Sequence, residues 1–337
     1  MAGRFGVAVI GAGDMGAQHS RGWSTFKDAR LVAVADPILE RAKNLKRLYG
    51  FEVCVRDYRE AIDRDSVDVV SVCTPAYYHP EITIYAAERG KHILCEKPIA
   101  LNLRDADEMI KACRENGVHL EIGFQRRYME GYIKIKSLLE DGALGRPNVY
   151  FRSIAGDIRR KRAMHDMRRG NGGPIIDTCC HFFDIWRVLS SSEPTQVYAR
   201  GFTFAEGRPE LSQIEELAPD TASINVEYES GDLGVILVSW GLPPGIRLPG
   251  SEYVLGPNGA AAILNDRLIV KLEGEEMVFP INPADAKIRQ IHHFARVVLG
   301  EAEPKSTGED GKVALMVSLA ALESMRRKMP VDVSSLA

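Results

Sequence analysis

Near the start of the chain, Gly11-Ala12-Gly13-Asp14-Met15-Gly16 closes an apolar run at 5–11, and residues 17–26 can continue as a helix. The three glycines answer three separate demands. Gly11 permits a tight turn, Gly13 lets the backbone approach a pyrophosphate, and Gly16 lets a helix pack closely on a strand. The pyrophosphate would then face the free N–H groups of a helix N-terminus. Glycine turns recur by chance, so a turn that merely reverses the chain is the other reading of the run. Its context argues for the fingerprint: it follows a strand, and Asp36 closes the second strand 20 residues beyond Gly16, where a ribose-binding carboxylate belongs. Such a carboxylate accepts hydrogen bonds from the adenosine 2′- and 3′-hydroxyls and repels a 2′-phosphate, so NAD is expected over NADP. Arg41 stands against that preference if it turns toward the same pocket. Asp36 also precedes Pro37, where an aspartate serves as a turn or N-cap residue, and the two roles are compatible.

The first third of the chain alternates strands with helices. Residues 5–11, 30–36, 67–74, 92–96 and 118–124 read as strands, while 37–49, 80–89 and 103–116 have helical spacing. Val- and Ile-rich runs that are apolar on both faces belong to a parallel sheet covered by helices. This is βαβ alternation, and it predicts a doubly wound α/β sheet of the Rossmann type. Beyond 124 the pattern changes. Residues 148–155, 196–204, 222–229, 234–240, 251–255, 261–264 and 268–272 read as strands, with turn signals at Glu229-Ser230-Gly231-Asp232 and Pro257-Asn258-Gly259. They predict a large, mostly antiparallel sheet in an α+β domain. Helical stretches at 132–140, 175–189, 286–299 and 312–327 either cover one face of that sheet or cross back to the first domain. Two domains are expected: 1–124 for the dinucleotide, and 125–337 for substrate and oligomerisation.

Charge and composition exclude several partners. A net charge of −3 offers no basic excess to steer the chain onto nucleic acid or an anionic membrane. No apolar run approaches the roughly 20 residues of a membrane span. Residues 1–5 lead straight into a strand, without the apolar core and cleavage site of a signal peptide. The cysteines form no Cys-x-x-Cys pair, and several sit in apolar runs as small hydrophobes, so a reducing, cytoplasmic compartment is expected. Cys179 and Cys180 are adjacent, but neighbours on a helix point different ways and make poor joint ligands, so no metal is expected.

Two further places carry chemistry. The strand 92–96 leads into Glu96-Lys97-Pro98, at the carboxyl edge of the sheet where open α/β folds bind ligands. Later, Gly172-Gly173-Pro174 opens an apolar helix in which Asp177, His181 and Asp184 stand at i, i+4 and i+7 on one face. Burying a carboxylate with an imidazole is costly without a partner or a purpose. A structural Asp–His hydrogen bond in the core is the other reading. Between these places, the loop 156–173 holds Arg159, Arg160, Lys161, Arg162, Arg168 and Arg169 against Asp157 and Asp166. It reads first as a solvated or subunit-contact loop, and second as a site for a carboxylate or phosphate. His165, Arg126 and Trp240 are candidate substrate contacts.

The run 11–16 with His19, Thr74-Pro75 with His79, Gly90-Lys91-His92 leading into Cys95-Glu96-Lys97-Pro98, and Asp177-x-x-x-His181-x-x-Asp184 follow one another over nearly the whole chain. Together they resemble the glucose–fructose oxidoreductase / inositol dehydrogenase / rhizopine-catabolism family. Gly123-Phe124-Gln125-Arg126-Arg127-Tyr128 looks like the inositol-dehydrogenase branch. The resemblance implies that Lys97, Asp177 and His181 act on a carbinol. It also implies that Thr74, Pro75, His79, Glu96 and Lys97 join the glycine run and Asp36 around the cofactor. The substrate it implies is a cyclitol, an aldose or ketose, or an acidic sugar, and relatives pair as homodimers or homotetramers through the exposed face of the second sheet. Oxidising a secondary alcohol sends a hydride to nicotinamide C4 and a proton to a base, a task suited to a neutral imidazole. His181 is the expected base. Asp177 would orient its ring and stabilise the imidazolium, and the Lys97 ammonium would hold the substrate oxygen. Two other functions fit the same motifs: an NAD-dependent glycoside hydrolase using transient oxidation, and a non-catalytic NAD-binding sensor. The joint presence of Lys97, Asp177 and His181 argues against the sensor.

Overall fold

Runs of Val, Ile and Ala that are apolar on both faces are stable only between two layers of helix, and the first six strands satisfy this. In a computed structural model describing residues 5–336, β1 (Phe5–Ile10), β2 (Ala29–Ala35), β3 (Val53–Val55), β4 (Val69–Val72), β5 (His92–Cys95) and β6 (Leu120–Ile122) form one sheet. Its order is β3-β2-β1-β4-β5-β6, with every pairing parallel. All residues of β1 and β4 are buried. Helices α1 (Asp14–Ser24), α2 (Leu39–Tyr49), α3 (Tyr58–Ile62), α4 (His79–Ala87) and α5 (Leu103–Glu115) connect the strands. The strand order reverses between β1 and β4, the switch point at which such sheets bind ligands, and the glycine run leaves β1 there. β3 and α3 were not anticipated. A three-residue, half-buried edge strand is too short to display a period.

The second unit opens with α6 (Glu130–Glu140), β7 (Val149–Asp157), α7 (Gly173–Asp177) and α8 (Cys180–Ser190). It continues with β8 (Pro194–Phe202), β9 (Thr221–Tyr228), β10 (Leu233–Leu242), β11 (Glu252–Gly256), β12 (Gly259–Ile263), β13 (Arg267–Leu272) and β14 (Glu275–Pro280). Then follow α9 (Ala286–Val298), α10 (Gly308–Arg327) and β15 (Val331–Asp332). The sheet order is β14-β13-β12-β11-β7-β10-β9-β8-β15. Only the central β7–β10 pair is parallel. β10 buries Gly234, Ile236, Val238 and Trp240 and leaves Leu237 exposed, the alternation of a sheet with one covered face. The architecture is thus a doubly wound α/β domain plus an α+β domain with a large, mostly antiparallel sheet. Among the described residues no helix is long and apolar enough to cross a membrane. Residues 1–4 and 337, and with them the expectation about the chain's start, lie outside the described residues.

Two details sharpen the sequence reading. One compact unit runs to Gln125 and takes in Asp285–Lys312, and the other is Arg126–Ala284 continued from Val313, so of the two courses left open for the late helices α9 takes the crossing back to the first domain. The returning helix α9 buries Ile291, Phe294, Ala295 and Val297 in the core of the first unit, with Phe294 edge-on to Trp23 of α1. Gly22 makes room for it: a Cβ there would lie 2.4 Å from the Ile291 side chain. The single helix expected over 175–189 is instead α7 and α8, joined through Thr178 and Cys179, whose backbones remain in the right-handed helical region.

Candidate active site

At the end of β1, Gly11 has φ +95°, and a Cβ on it would meet the Cys73 carbonyl oxygen at 2.7 Å. Gly16 sits so close beneath the turn that its Cβ would fall 1.9 Å from the Gly11 oxygen. Gly13 is the opposite case. It is exposed and caps α1 without any side-chain cap, and nothing lies within 4 Å of where its Cβ would be. The first-turn amides of α1 therefore face an open notch, the property that suits a helix N-terminus to a phosphate. Asp36, buried at the end of β2, accepts from the Ala12 N–H with Oδ2 and from the Ile38 N–H with Oδ1, both at 2.8 Å. It is therefore a turn residue that ties the glycine loop to β2. Each carboxylate oxygen retains a second lone pair. Notch and carboxylate fit a dinucleotide's pyrophosphate and ribose.

At the end of β5 the polar groups turn inward. The Glu96 carboxylate is buried, and its Oε1 accepts from the Lys287 ammonium at 2.6 Å and from His19 Nε2 at 2.9 Å. The protons along this chain are determined by chemistry. Trp23 Nε1 can only donate, and it reaches Ser71 Oγ at 2.8 Å; the serine hydrogen then goes to His19 Nδ1 at 3.1 Å, leaving Nε2–H for Glu96. Burial lowers the His19 pKa, in keeping with that neutral ring. Burial alone would raise the Glu96 pKa, but Lys287 and His19 reverse this and hold it well below the ordinary carboxylate range. Glu96, expected beside the cofactor, thus spends its carboxylate inside the domain. Lys97 follows it, half-buried. His79 is buried with Nδ1 2.8 Å from the Pro98 oxygen and Nε2 3.0 Å from the Thr74 oxygen, linking the Thr74-Pro75 and Lys97-Pro98 turns. Burial lowers the His79 pKa, and a neutral ring donates to one of these carbonyls at a time.

In the second unit, Asp177 ends α7 and His181 lies in the first turn of α8, both buried. Asn171 donates to Asp177 Oδ1 at 2.8 Å. Asp184 leaves the expected polar trio: Arg127 Nε reaches its two oxygens at 3.1 and 2.9 Å, and Nη2 adds a further contact. Arg126 donates to Tyr132 Oη at 2.8 Å and lies 4.2 Å over the Phe182 ring. His165 and Trp240, 75 positions apart, are brought edge to face with ring centroids 5.9 Å apart. His165 Nε2 accepts the Arg159 backbone N–H at 3.0 Å, so its proton sits on Nδ1, and burial lowers its pKa. The Arg159 guanidinium lies 4.6 Å over Trp240. Elsewhere in the basic loop, Arg160, Lys161 and Arg162 are exposed and Arg168 pairs with Glu216. Sequence reasoning missed Asn171 and Lys287. Asn171 had a faint signal in the glycine-rich approach to α7, whereas Lys287 reads like any surface lysine of an amphipathic helix.

Residues 5–124 match the model of an oxidoreductase family with an NAD-binding Rossmann fold, and residues 132–261 match the GFO/IDH/MocA C-terminal domain. Myo-inositol 2-dehydrogenase of Thermotoga maritima is 30% identical over 98% of this chain and 99% of its own length. The NAD(+)-dependent scyllo-inositol 2-dehydrogenase of Bacillus subtilis is 30% identical over 96% and 95%. The crystal structure of a probable dehydrogenase from Thermotoga maritima superposes with a TM-score of 0.81 at 28% identity, covering 99% of this chain and all of its own. A glycine notch with its carboxylate, a matched model on each half and relatives that share almost the full length lead to one statement: the chain belongs to the GFO/IDH/MocA family and is an NAD-binding oxidoreductase.

Proposed function

We propose that the chain is an NAD-dependent dehydrogenase oxidising a secondary hydroxyl of a cyclitol or sugar, with His181 as general base. The observation that carries this reading is a buried carboxylate and imidazole, Asp177 and His181, four residues apart across the α7–α8 junction, in a chain whose named relatives act on inositols. The N–H groups of the 11–16 loop cradle the pyrophosphate, and Asp36 offers its remaining lone pairs to the ribose hydroxyls. The turns carrying Thr74, Pro75 and Lys97 complete the cofactor side, with His79 bracing them. Bound NAD supplies the hydride acceptor. His181 takes the hydroxyl proton, Asp177 orients the ring and stabilises its charged form, and Asn171 holds Asp177. The Lys97 ammonium steadies the substrate oxygen as negative charge develops. A polyol and sugar panel with NAD and NADP, followed through absorbance of the reduced nicotinamide, tests the reading. The expected result is turnover of a cyclitol or sugar at a rate about tenfold or more higher with NAD, since the Asp36 charge repels a 2′-phosphate. Cleavage of a glycoside without net reduced cofactor would replace the dehydrogenase by a transient-oxidation hydrolase; NAD binding without chemistry would leave a sensor.

The second sheet also supports a homo-oligomer. Its register places Val235, Phe151, Tyr253, Ala262, Ile269 and Val278 in one row across six strands. Tyr253 and Val278 are exposed there, as are the flanking Leu237 and Leu255. A contiguous apolar face of this kind is characteristic of a buried interface. Sedimentation at micromolar concentration is expected to give two or four times the single-chain mass, and Leu237→Glu a monomer. A monomeric wild type would refute the interface.

A further inference from the structure

Two buried donors of the second unit have nothing to donate to. The indole Nε1 of Trp240, on β10, lacks an acceptor, and so does Nε of Arg159, which lies just beyond β7. They belong to one assembly. The guanidinium lies 4.6 Å over the indole. The Arg159 N–H is anchored on His165 at 3.0 Å, and His165 packs edge-on to Trp240. Nearby carboxylates are already engaged. Asp157 accepts from the Arg247 side chain at 2.7 Å and the Gly245 N–H at 2.9 Å, and Asp177 accepts from Asn171. His165, accepting at Nε2, is neutral and adds no second cation.

Native structures rarely leave buried donors unmade, and each such case calls for a missing partner. The guanidinium itself is only half-buried, open to an incoming anion, while its buried Nε–H has no counter-charge bonded to it. A guanidinium held over an aromatic ring keeps its N–H groups in one plane, the geometry that matches a carboxylate. We propose that Arg159 and Trp240 form a subsite for a carboxylate on the substrate, so that the chain prefers an acidic sugar to a neutral polyol. The exposed Arg160, Lys161 and Arg162 of the same loop add a positive field that draws such an anion in. This subsite rests on the dehydrogenase reading and narrows its substrate class. For one of the six cations of the basic loop it takes up the second reading, a site for a carboxylate.

The test uses the NAD-loaded protein, titrated calorimetrically with D-glucuronate and D-galacturonate, and with D-glucose, D-galactose and myo-inositol, while reduced cofactor reports turnover. Wild type is expected to bind an acid more tightly than any of the neutral compounds. Arg159→Leu is expected to lower the acid-to-neutral preference about 10–100-fold, the range for a hydrogen bond to a charged group. Arg159→Lys, with charge but no planar fork, should fall between. If neither acid binds, if acids and neutral sugars bind alike, or if Arg159→Leu leaves their ratio unchanged, the subsite is wrong. Preferential binding of an acid without reduced cofactor supports the subsite and refutes the dehydrogenase reading. Turnover of neutral polyols without acid preference does the reverse.

Discussion

Replacing His181 by alanine is expected to lower turnover by about 10²–10⁴-fold, the contribution typical of a general base, with NAD affinity retained. The glycine notch and Asp36 belong to the first unit, whereas His181 belongs to the second, so the substitution leaves the dinucleotide-binding fold intact. Because His181 is buried, thermal unfolding of the variant must accompany the kinetics, to separate lost chemistry from lost structure. His181→Gln keeps much of the volume and a hydrogen-bonding end but cannot serve as a base, and it should be as slow as alanine. Asp177→Asn should fall between wild type and His181→Ala, since it leaves the base in place without the charge that stabilises its protonated form. Wild-type turnover in either His181 variant would remove the residue from the mechanism.

Lys287→Met is expected to destabilise the first unit by about 3–5 kcal/mol, the usual cost of removing one partner of a buried ion pair. The loss comes less from the missing attraction than from the Glu96 charge left buried with only the neutral His19 beside it. The pH dependence follows from the direction of the Glu96 shift. Its folded pKa lies well below the ordinary value, so in wild type the pair contributes stability above the unfolded-state pKa, and that contribution fades as pH falls through the folded one. In Lys287→Met the largest of the effects that offset burial is gone and only the His19 hydrogen bond remains, so the carboxyl takes up a proton more readily, and the deficit relative to wild type should shrink between pH 7 and pH 5. Glu96→Gln combined with Lys287→Met removes both charges and should recover most of the loss. Urea unfolding of all three proteins, followed by tryptophan fluorescence, reports the result because Trp23 lies at the far end of the same network. A loss below about 1 kcal/mol in Lys287→Met, against the range expected for a buried pair, would mean that Glu96 finds another partner.

The parts legible in the sequence share one property: their cause is local. A left-handed turn needs glycine at 11, a helix that packs under it needs glycine at 16, and both demands lie within six residues. Apolar runs on both faces announce a parallel interior sheet and alternation announces a half-covered one, so both fold classes were readable. Elements too short to carry a period, β3 and β15, were not, and the six-residue β14 was missed as well. Nor was the interruption between α7 and α8, because the apolar spacing continues through Thr178 and Cys179 as if one helix ran on. The site divides in the same way. Asp177 and His181 stood out as a costly pair on an apolar face. Asn171, which holds Asp177, is an ordinary loop residue until the chain folds around it.

The amino-acid sequence by itself determined the dinucleotide fingerprint, the two kinds of sheet and the residues most expensive to bury, because glycine stereochemistry and apolar periodicity are properties of neighbouring residues. Only the tertiary structure decided what those expensive groups meet. Glu96 finds Lys287 at a separation of 191 residues, since α9 returns to the first unit instead of staying with the sheet that precedes it. Arg159 and His165 find Trp240 because the parallel β7–β10 pairing sets the ends of two distant strands side by side. Such partnerships depend on which faces the folded elements turn toward each other, and no window of sequence contains both halves of them.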